Sequence, residues 1–385
     1  MWHGESPPSA SSFPPFVSVL VPVRNERLYI GESLLSLLSQ DYDRDRFEIL
    51  VVDDHSRDST SEIVRALAKN DTRIQLFINQ SVGTPSARNF ALVHSKGSVI
   101  VNFSGHAIAS ESLLSTLVSK LLMAHPTLAG VGCTHEMPTD EPCFARVARL
   151  ALSTYLGGIA STYRQHNSER FLLSIAFTAY RREVFDAVGG FDESMKPMGE
   201  DLEFNLRLKE AGYRLLYTPD TTVYHREVRS ITKFVRHMFL FGLARGIATL
   251  KHPRSFNPVH VVPSLLVLVA LAWLGSLILK GHSPQVLVAI LLGYFLSCLG
   301  SALATGASIE LRLIGPLALM YAILHFSYGT GYLATLLVAR SYLGHSVSPP
   351  ALLPDLKRRC VQEPDSEGLV LGSSRVSLGA TNPRL

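Results

Sequence analysis

The chain has 385 residues, 47% of them apolar and 18% charged, with 36 basic against 32 acidic side chains. That near-balance argues against a nucleic-acid binder, which needs a concentrated basic excess to neutralise phosphates. Four cysteines (Cys133, Cys143, Cys298, Cys360) are too scattered for a disulfide framework or a Cys-x-x-Cys metal site.

Residues 1–15 are rich in Ser and Pro, lack the apolar core of a signal peptide, and read as a disordered tail, so the domain that follows is expected on the cytoplasmic side. Phe16 to Val23 is a short apolar and β-branched run, the pattern of a buried strand. A polar turn from Arg24 to Arg27 follows, and Leu28 to Leu38 has apolar residues at helical spacing. Glu48 to Val52 is the next strand, with Asp53, Asp54 and His55 at its carboxyl end. Ser59 is placed to cap a helix reaching Ala68, with Glu62 completing a capping box. Arg73 to Ile78 predicts a third strand, Pro85 to Val93 a helix and Ser98 to Phe103 a fourth strand. This alternation predicts an α/β domain with a mostly parallel sheet covered on both faces.

In such sheets ligands bind beyond the carboxyl ends of the strands. Pro22 to Glu26, Asp53 to His55 and Ser104 to His106 are therefore expected to converge on one crevice. Neither a Gly-x-Gly-x-x-Gly nor a Gly-x-x-x-x-Gly-Lys-Ser/Thr motif occurs at these turns, so the crevice must hold its ligand by other means. The pair Asp53 and Asp54 suits a base or ribose, a metal, or ordinary turn chemistry. Further on, Glu200 and Asp201 precede a helical pattern from Leu202 to Ala211, which puts both carboxylates at a helix N-terminus that favours their ionised forms.

Phe144 to Tyr163 is weakly amphipathic and reads as a lid or membrane-touching segment. Residues 231–254 interleave apolar residues with Lys233, Arg236, His237 and Arg245, which suits a helix in the headgroup layer or one packed on the soluble domain. Only 13 charged side chains follow Arg254, and three runs within residues 255–343 carry none: Val261 to Leu279, Gln285 to Thr305 and Leu313 to Ala339. Each is long enough to cross about 30 Å of hydrocarbon, so about three spans in an integral membrane protein are expected. Three crossings would put Arg340 and the cluster Lys357, Arg358 and Arg359 opposite the soluble domain, against the positive-inside tendency; two or four would not. Residues 344–385 are polar and rich in Pro, Ser and Gly, as in a disordered tail.

The segments VSVLVPVRNE, ILVVDDHSRDST, GTPSARNFAL, AFTAYRREVFDAVGGFDESM and GEDLEFNLRLKEAGYRLLYTPDTTVYH, in this order over residues 16–226, resemble glycosyltransferase family 2, whose members have the nucleotide-sugar-binding GT-A fold. The membrane part, with HFSYGTGYLATLL, is similar to the membrane-anchored exopolysaccharide branch that includes succinoglycan-type transferases. The resemblance implies a GT-A domain over residues 16–230. Within it Asp54 would contact the nucleobase, Pro22 and Glu26 would line the nucleotide pocket beside Ser104, and Arg88 would approach the base or diphosphate. Asp201, with Glu200 beside it, matches the general base that removes the acceptor hydroxyl's proton during inverting transfer.

The family's Asp-x-Asp metal motif is replaced here by Ser104, Gly105 and His106. Three answers follow: a divalent cation held by His106, the substrate's phosphates and His225; a metal-free site using Arg or Lys; or a scaffold without catalysis. Imidazole favours Mn over Mg in the first case. The Gln-x-x-Arg-Trp motif of processive synthases is missing from Phe234 to Arg245, which implies addition of a single sugar. Arg236 and Arg245 would face either the diphosphate of a polyprenyl-linked acceptor or lipid headgroups. The implied activity is inverting transfer from a nucleotide-diphosphate sugar, UDP being the family's commonest, to a lipid-linked or membrane-proximal glycan in polysaccharide synthesis. The rivals are a polyprenyl-phosphate or ceramide-type transferase and a non-catalytic GT-A scaffold.

Overall fold

The computed structural model describes residues 14–158, 167–196, 198–226, 228–281, 284–306, 311–343 and 354–356. The sheet domain runs β1 (Val17–Val23), α1 (Ile30–Leu38), β2 (Phe47–Asp53), α2 (Thr60–Asn70), β3 (Ile74–Ile78), α3 (Thr84–His94), β4 (Val99–Asn102), β5 (Ala107–Ala109) and α4 (Leu113–Met123). It continues with β6 (Leu128–Glu136), α5 (Cys143–Ser153), β7 (Arg170–Leu172), β8 (Ala179–Arg181), α6 (Glu183–Val188), α7 (Glu200–Glu210) and β9 (Arg214–His225). Four long helices follow: α8 (Ile231–Lys251), α9 (Val262–Lys280), α10 (Gln285–Gly306) and α11 (Ile314–Leu343).

The strands form one sheet in the order β3-β2-β1-β4-β8-β6-β9-β5, with β7 on β9. The first four run parallel, while β8 joins β4 antiparallel and the remaining pairs are mixed. Alternate residues explain the double coverage. Val17, Val19, Val21 and Val23 share one core with Leu34 of α1, Val64 of α2 and Leu117 of α4, whereas Leu20, Leu50 and Val52 share another with Ala91 of α3, Phe185 of α6 and Phe204 of α7.

Two local expectations are corrected. The first helix starts at Ile30, not Leu28, because the Glu26 carbonyl takes the N–H groups of Tyr29 and Ile30 at 2.9 Å each, which leaves Leu28 71% exposed in a turn. The Ser59 side chain does not cap α2; the Asp58 carboxylate, a stronger acceptor, takes the Thr60 N–H at 3.1 Å.

The segment read as a lid forms α5 over Cys143–Ser153, and its end at Tyr163 lies outside the described residues, as do residues 1–13 and most of 344–385. Helix α8 packs lengthwise on α11. A Cβ built on Gly242 would lie 2.0 Å from the Tyr328 carbonyl oxygen, so only glycine permits this backbone approach, and one on Gly246 would lie 2.1 Å from the Thr335 side-chain Oγ1. Three helical stretches, Pro258–Leu279, Gln285–Thr305 and Leu311–Ala339, are long and apolar enough to cross a membrane.

Candidate active site

The turns after β1, β2 and β4 meet at the carboxyl edge of the sheet, as parallel topology requires. The Asp54 N–H bonds the Val23 carbonyl at 2.8 Å, and Asp54 Oδ2 pairs with Arg24 at 3.2 Å. Its other oxygen accepts from Asn79 Nδ2 at 2.8 Å and from the Gly83 N–H at 3.0 Å, immediately before α3. Asp53 is the turn-former of the pair: its carboxylate takes the Ser56 N–H at 2.9 Å and the Ser61 hydroxyl. Asn25 and His55 both hold a left-handed backbone, with φ of 57° and 59°, at these strand ends. Such conformations cost about 1–3 kcal/mol each and persist where the surroundings enforce them, commonly at ligand sites.

The turn from Ser104 to His106 sits on the end of β1, where a Cβ on Gly105 would come 2.7 Å from Val23 Cγ1. The Ser33 hydroxyl fixes it from α1 by donating to the Ser104 carbonyl at 3.0 Å. His106 Nδ1 lies 2.8 Å from Glu26 Oε1, and the His106 and His225 ring centres are 4.8 Å apart because β5 and β9 pair Ala107 with His225. Phe177, a third left-handed residue, sets its ring at a tilt beside those of His225 and Phe103, with centres 5.6 and 5.5 Å away. Among the described residues no group of three or more His, Cys, Asp or Glu converges to hold an ion.

Helix α3 links this edge to the second half of the site. Arg88 donates to Glu200 Oε1 at 2.7 Å, with Glu200 only 5% exposed, so Arg88 is engaged with the N-terminus of α7. Burial pushes the Glu200 carboxyl above its ordinary range, while Arg88 works against that rise. Asp201 is half-buried and accepts the Leu202 N–H at 2.8 Å. Gly199, with φ of 96°, starts the helix against α8, and a Cβ there would lie 2.9 Å from Ala244 Cβ.

Contacts therefore run from Arg24 and Asp54 through α3 to Arg88, Glu200 and Asp201, and from Pro22–Glu26 to His106 and His225. Arg245 follows Ala244 on α8; its Nε is buried without a hydrogen-bond partner, and burial lowers the guanidinium pKa from its ordinary value. Arg236 is exposed on α8 and joins none of these contacts.

Sequence reasoning placed Arg24 in the crevice without giving it a role, and missed Asn79, Phe177 and a charged cluster flanking the site. Asn79 was within reach, since it is the polar residue at the carboxyl end of β3, where the strand-end rule applies. The cluster was not, because Arg226 gathers Glu32, Asp140 and Glu141 at 2.7–3.1 Å from far along the chain and stacks with Arg229 on Tyr29.

Residues 18–189 match the family described as Glycosyl transferase family 2, and residues 108–334 match Glycosyl transferase family group 2. The chain is 26% identical over 270 residues, 68% of its length and 83% of the relative's, to the dolichyl N-acetyl-alpha-D-glucosaminyl phosphate 3-beta-D-2,3-diacetamido-2,3-dideoxy-beta-D-glucuronosyltransferase of Methanococcus voltae. It is 27% identical over 333 residues, 83% of its length and 94% of the relative's, to the succinoglycan biosynthesis protein ExoA of Rhizobium meliloti. The fold is shared with the mannosyltransferase PcManGT from Pyrobaculum calidifontis, solved with GDP-Man and Mn2+, at a TM-score of 0.57 and 22% identity over 84% of this chain and 88% of that one.

Proposed function

Because this chain belongs to glycosyl transferase family 2, we propose that it moves one sugar from a nucleotide-diphosphate donor to a lipid-linked or membrane-proximal glycan acceptor, with inversion. The observation that carries this reading is the placement of Glu200 and Asp201, joined to the strand-end crevice by Arg88 and to the membrane-side helix α8 by Gly199. A donor held at the strand ends and an acceptor arriving along α8 then meet at Asp201. Relatives with lipid-linked and exopolysaccharide names support the acceptor class.

In this mechanism the Arg24 and Asn79 contacts orient Asp54 toward the nucleobase, and Pro22 and Glu26 shape the nucleotide pocket next to Ser104. Asp201 removes the acceptor hydroxyl's proton as that oxygen bonds to the anomeric carbon, and the bond to the diphosphate breaks on the opposite side. Arg88 neutralises Glu200, so the carboxylate beside the base does not disturb Asp201. A divalent ion would neutralise the departing diphosphate. His106 and His225 fit as its protein donors only if phosphate oxygens complete the set, and paired imidazoles suit Mn better than Mg.

The test is nucleotide diphosphate release by the purified membrane protein over a panel of UDP-, GDP- and TDP-sugars with lipid extract as acceptor source. It is run with and without EDTA, beside Asp201→Asn. Release that requires both acceptor and Asp201 is expected, on a UDP-sugar and on the cytoplasmic side of the membrane. The missing Asp-x-Asp and the engagement of His106 by Glu26 favour a second reading, a scaffold that binds nucleotide sugar without transfer. Donor binding with no release above the Asp201→Asn level would decide for it.

A further inference from the structure

We propose that the chain crosses the bilayer twice, through α9 and α10, and that α11 lies along the sheet domain at the bilayer surface. Length and composition alone rank α11 with the other two as a span; its contacts do not.

Near its start, Leu317, Met320, Tyr321 and Leu324 share a core with Val147, Ala148, Ala151 and Leu152 of α5. Just beyond α5, the Leu156 carbonyl lies 3.0 Å from His325 Nε2. Helix α5 is itself fastened to the sheet, since Arg149 donates to the His135 carbonyl at the end of β6. Near the other end of α11, Val338 packs against Met195, Leu206 of α7 and Ile247 of α8. From Leu317 to Val338 the helix rises about 32 Å, roughly the thickness of the hydrocarbon layer. A helix that spanned it would carry one of these ends a full membrane thickness from the domain, yet both ends rest on that domain.

A separate observation comes from beyond the helix. Leu356 is 5% exposed, and a Cβ built on Gly190 would lie 2.6 Å from its Cδ1, so the chain after α11 is seated on the sheet domain beside α6.

Helices α9 and α10 behave differently. Each also packs on α11, α9 through Ser264 to the Gly329 carbonyl at 3.1 Å and α10 through Tyr294, Cys298 and Ala302. Leu265, Leu271 and Leu277 along α9 and Val286, Leu292 and Leu299 along α10 are exposed over the length of both helices. Mean hydropathy follows the same division, 2.4 and 2.3 for these stretches against 1.3 for α11, whose most apolar window is 33% buried against 17% in each of the others. The outward face of α11 carries the exposed Leu319, Leu336 and Leu337, so lipid is its partner.

Two crossings return the residues after α11 to the side of the sheet domain. The basic residues Arg340, Lys357, Arg358 and Arg359 of the sequence then obey the positive-inside tendency. This inference is independent of the transfer reaction, because it concerns only which side each segment occupies.

The test is labelling by a membrane-impermeant maleimide in sealed vesicles of both orientations. The background carries Cys143→Ser and Cys360→Ser and keeps the buried Cys133 and Cys298. Single cysteines are placed by Lys69→Cys on α2, Gln285→Cys at the start of α10 and Leu385→Cys. Positions 69 and 385 are expected to label from one side and position 285 from the other. Position 385 labelling together with 285 would mean three crossings and overturn the proposal, as would 285 labelling together with 69. A protease-cleavable tag fused after Leu385 gives the same reading without any substitution: cleavage on the side of position 69 supports two crossings, and cleavage on the opposite side refutes them.

Discussion

Removing the Arg88 guanidinium tests the site at its buried centre. Arg88 stands 2.7 Å from a Glu200 carboxylate that is 5% exposed, so Arg88→Met strands a charge with no water to receive it. Breaking such a pair costs about 3–5 kcal/mol when the remaining charge stays ionised. Proton uptake sets a ceiling, because protonating a carboxyl of ordinary pKa costs about 4 kcal/mol at about pH 7 and about 1 kcal/mol at about pH 5, and the cost is lower for Glu200, which burial already raises in the wild type. Burial already raises Glu200 in the folded wild type and loss of Arg88 raises it further, so the variant's folded state holds the proton to higher pH and its deficit grows as pH rises. Arg88→Met is therefore expected to lose up to about 3 kcal/mol near neutral pH and less than about 1 kcal/mol at about pH 5, and Arg88→Met with Glu200→Gln to regain most of the loss. Denaturant titration in detergent, repeated at both pH values for the two singles and the double, measures this cycle. A deficit under about 1 kcal/mol that does not change with pH would refute the reasoning and place Glu200 in contact with water or another cation.

Asp201→Asn is expected to lower turnover by about 10² to 10⁴ while donor affinity changes little, read by nucleotide release beside calorimetric donor titration. Burial alone would lower the His252 pKa, but its hydrogen bonds to Glu203 and Glu210 overcome this and raise it. His252 therefore stabilises the fold fully below its unfolded pKa of about 6.5, and the stability gap to His252→Gln should close as pH rises through the raised folded value, followed by thermal melts. Gly242→Ala forces a Cβ toward the Tyr328 carbonyl oxygen, 2.0 Å away without adjustment, and should cost about 1–3 kcal/mol in the same melts by prying α8 from α11.

The first half of the domain was legible because its code is local. Val17 to Val23 and Glu48 to Val52 are short β-branched runs that must be buried on both faces, and parallel pairing then brings their carboxyl ends together without further information. Glu26 and His106, separated by 80 positions, meet at 2.8 Å for that reason. Ser59 misled because a capping box is a pattern of residue types, and the competing Asp58 stood one position earlier. Arg88 shows a different limit: its pairing with Glu200, 112 positions away, depends on how α3 and α7 pack. Periodicity carries no such information. The same limit applies to α11, where an uncharged run measures length and greasiness, and only contacts with α5 and α7 distinguish a helix that crosses from one that lies flat.

Those contacts also explain why α8, α11 and the proposed base Asp201 belong to one structural problem. Helix α7, which presents Asp201, is gripped by α8 at both ends: Gly199 rests on Ala244 at its start, and Glu210 meets His252 Nδ1 at 2.9 Å at its finish. Lys251 reaches Asp192 at 2.5 Å and Ser194 at 2.7 Å, ahead of the Glu200–Asp201 pair, and Val338 of α11 closes over Leu206. A chain cut at residue 230 would leave Met195 and Leu206 facing water and the N-terminus of α7 without its backing. Under the proposed mechanism such a fragment should keep donor binding, assigned to Asp54, Asn79 and the strand ends, and lose transfer, assigned to the position of Asp201. Donor titration and nucleotide release on the fragment separate the two, and full turnover by the fragment would show that α7 holds Asp201 in place without α8.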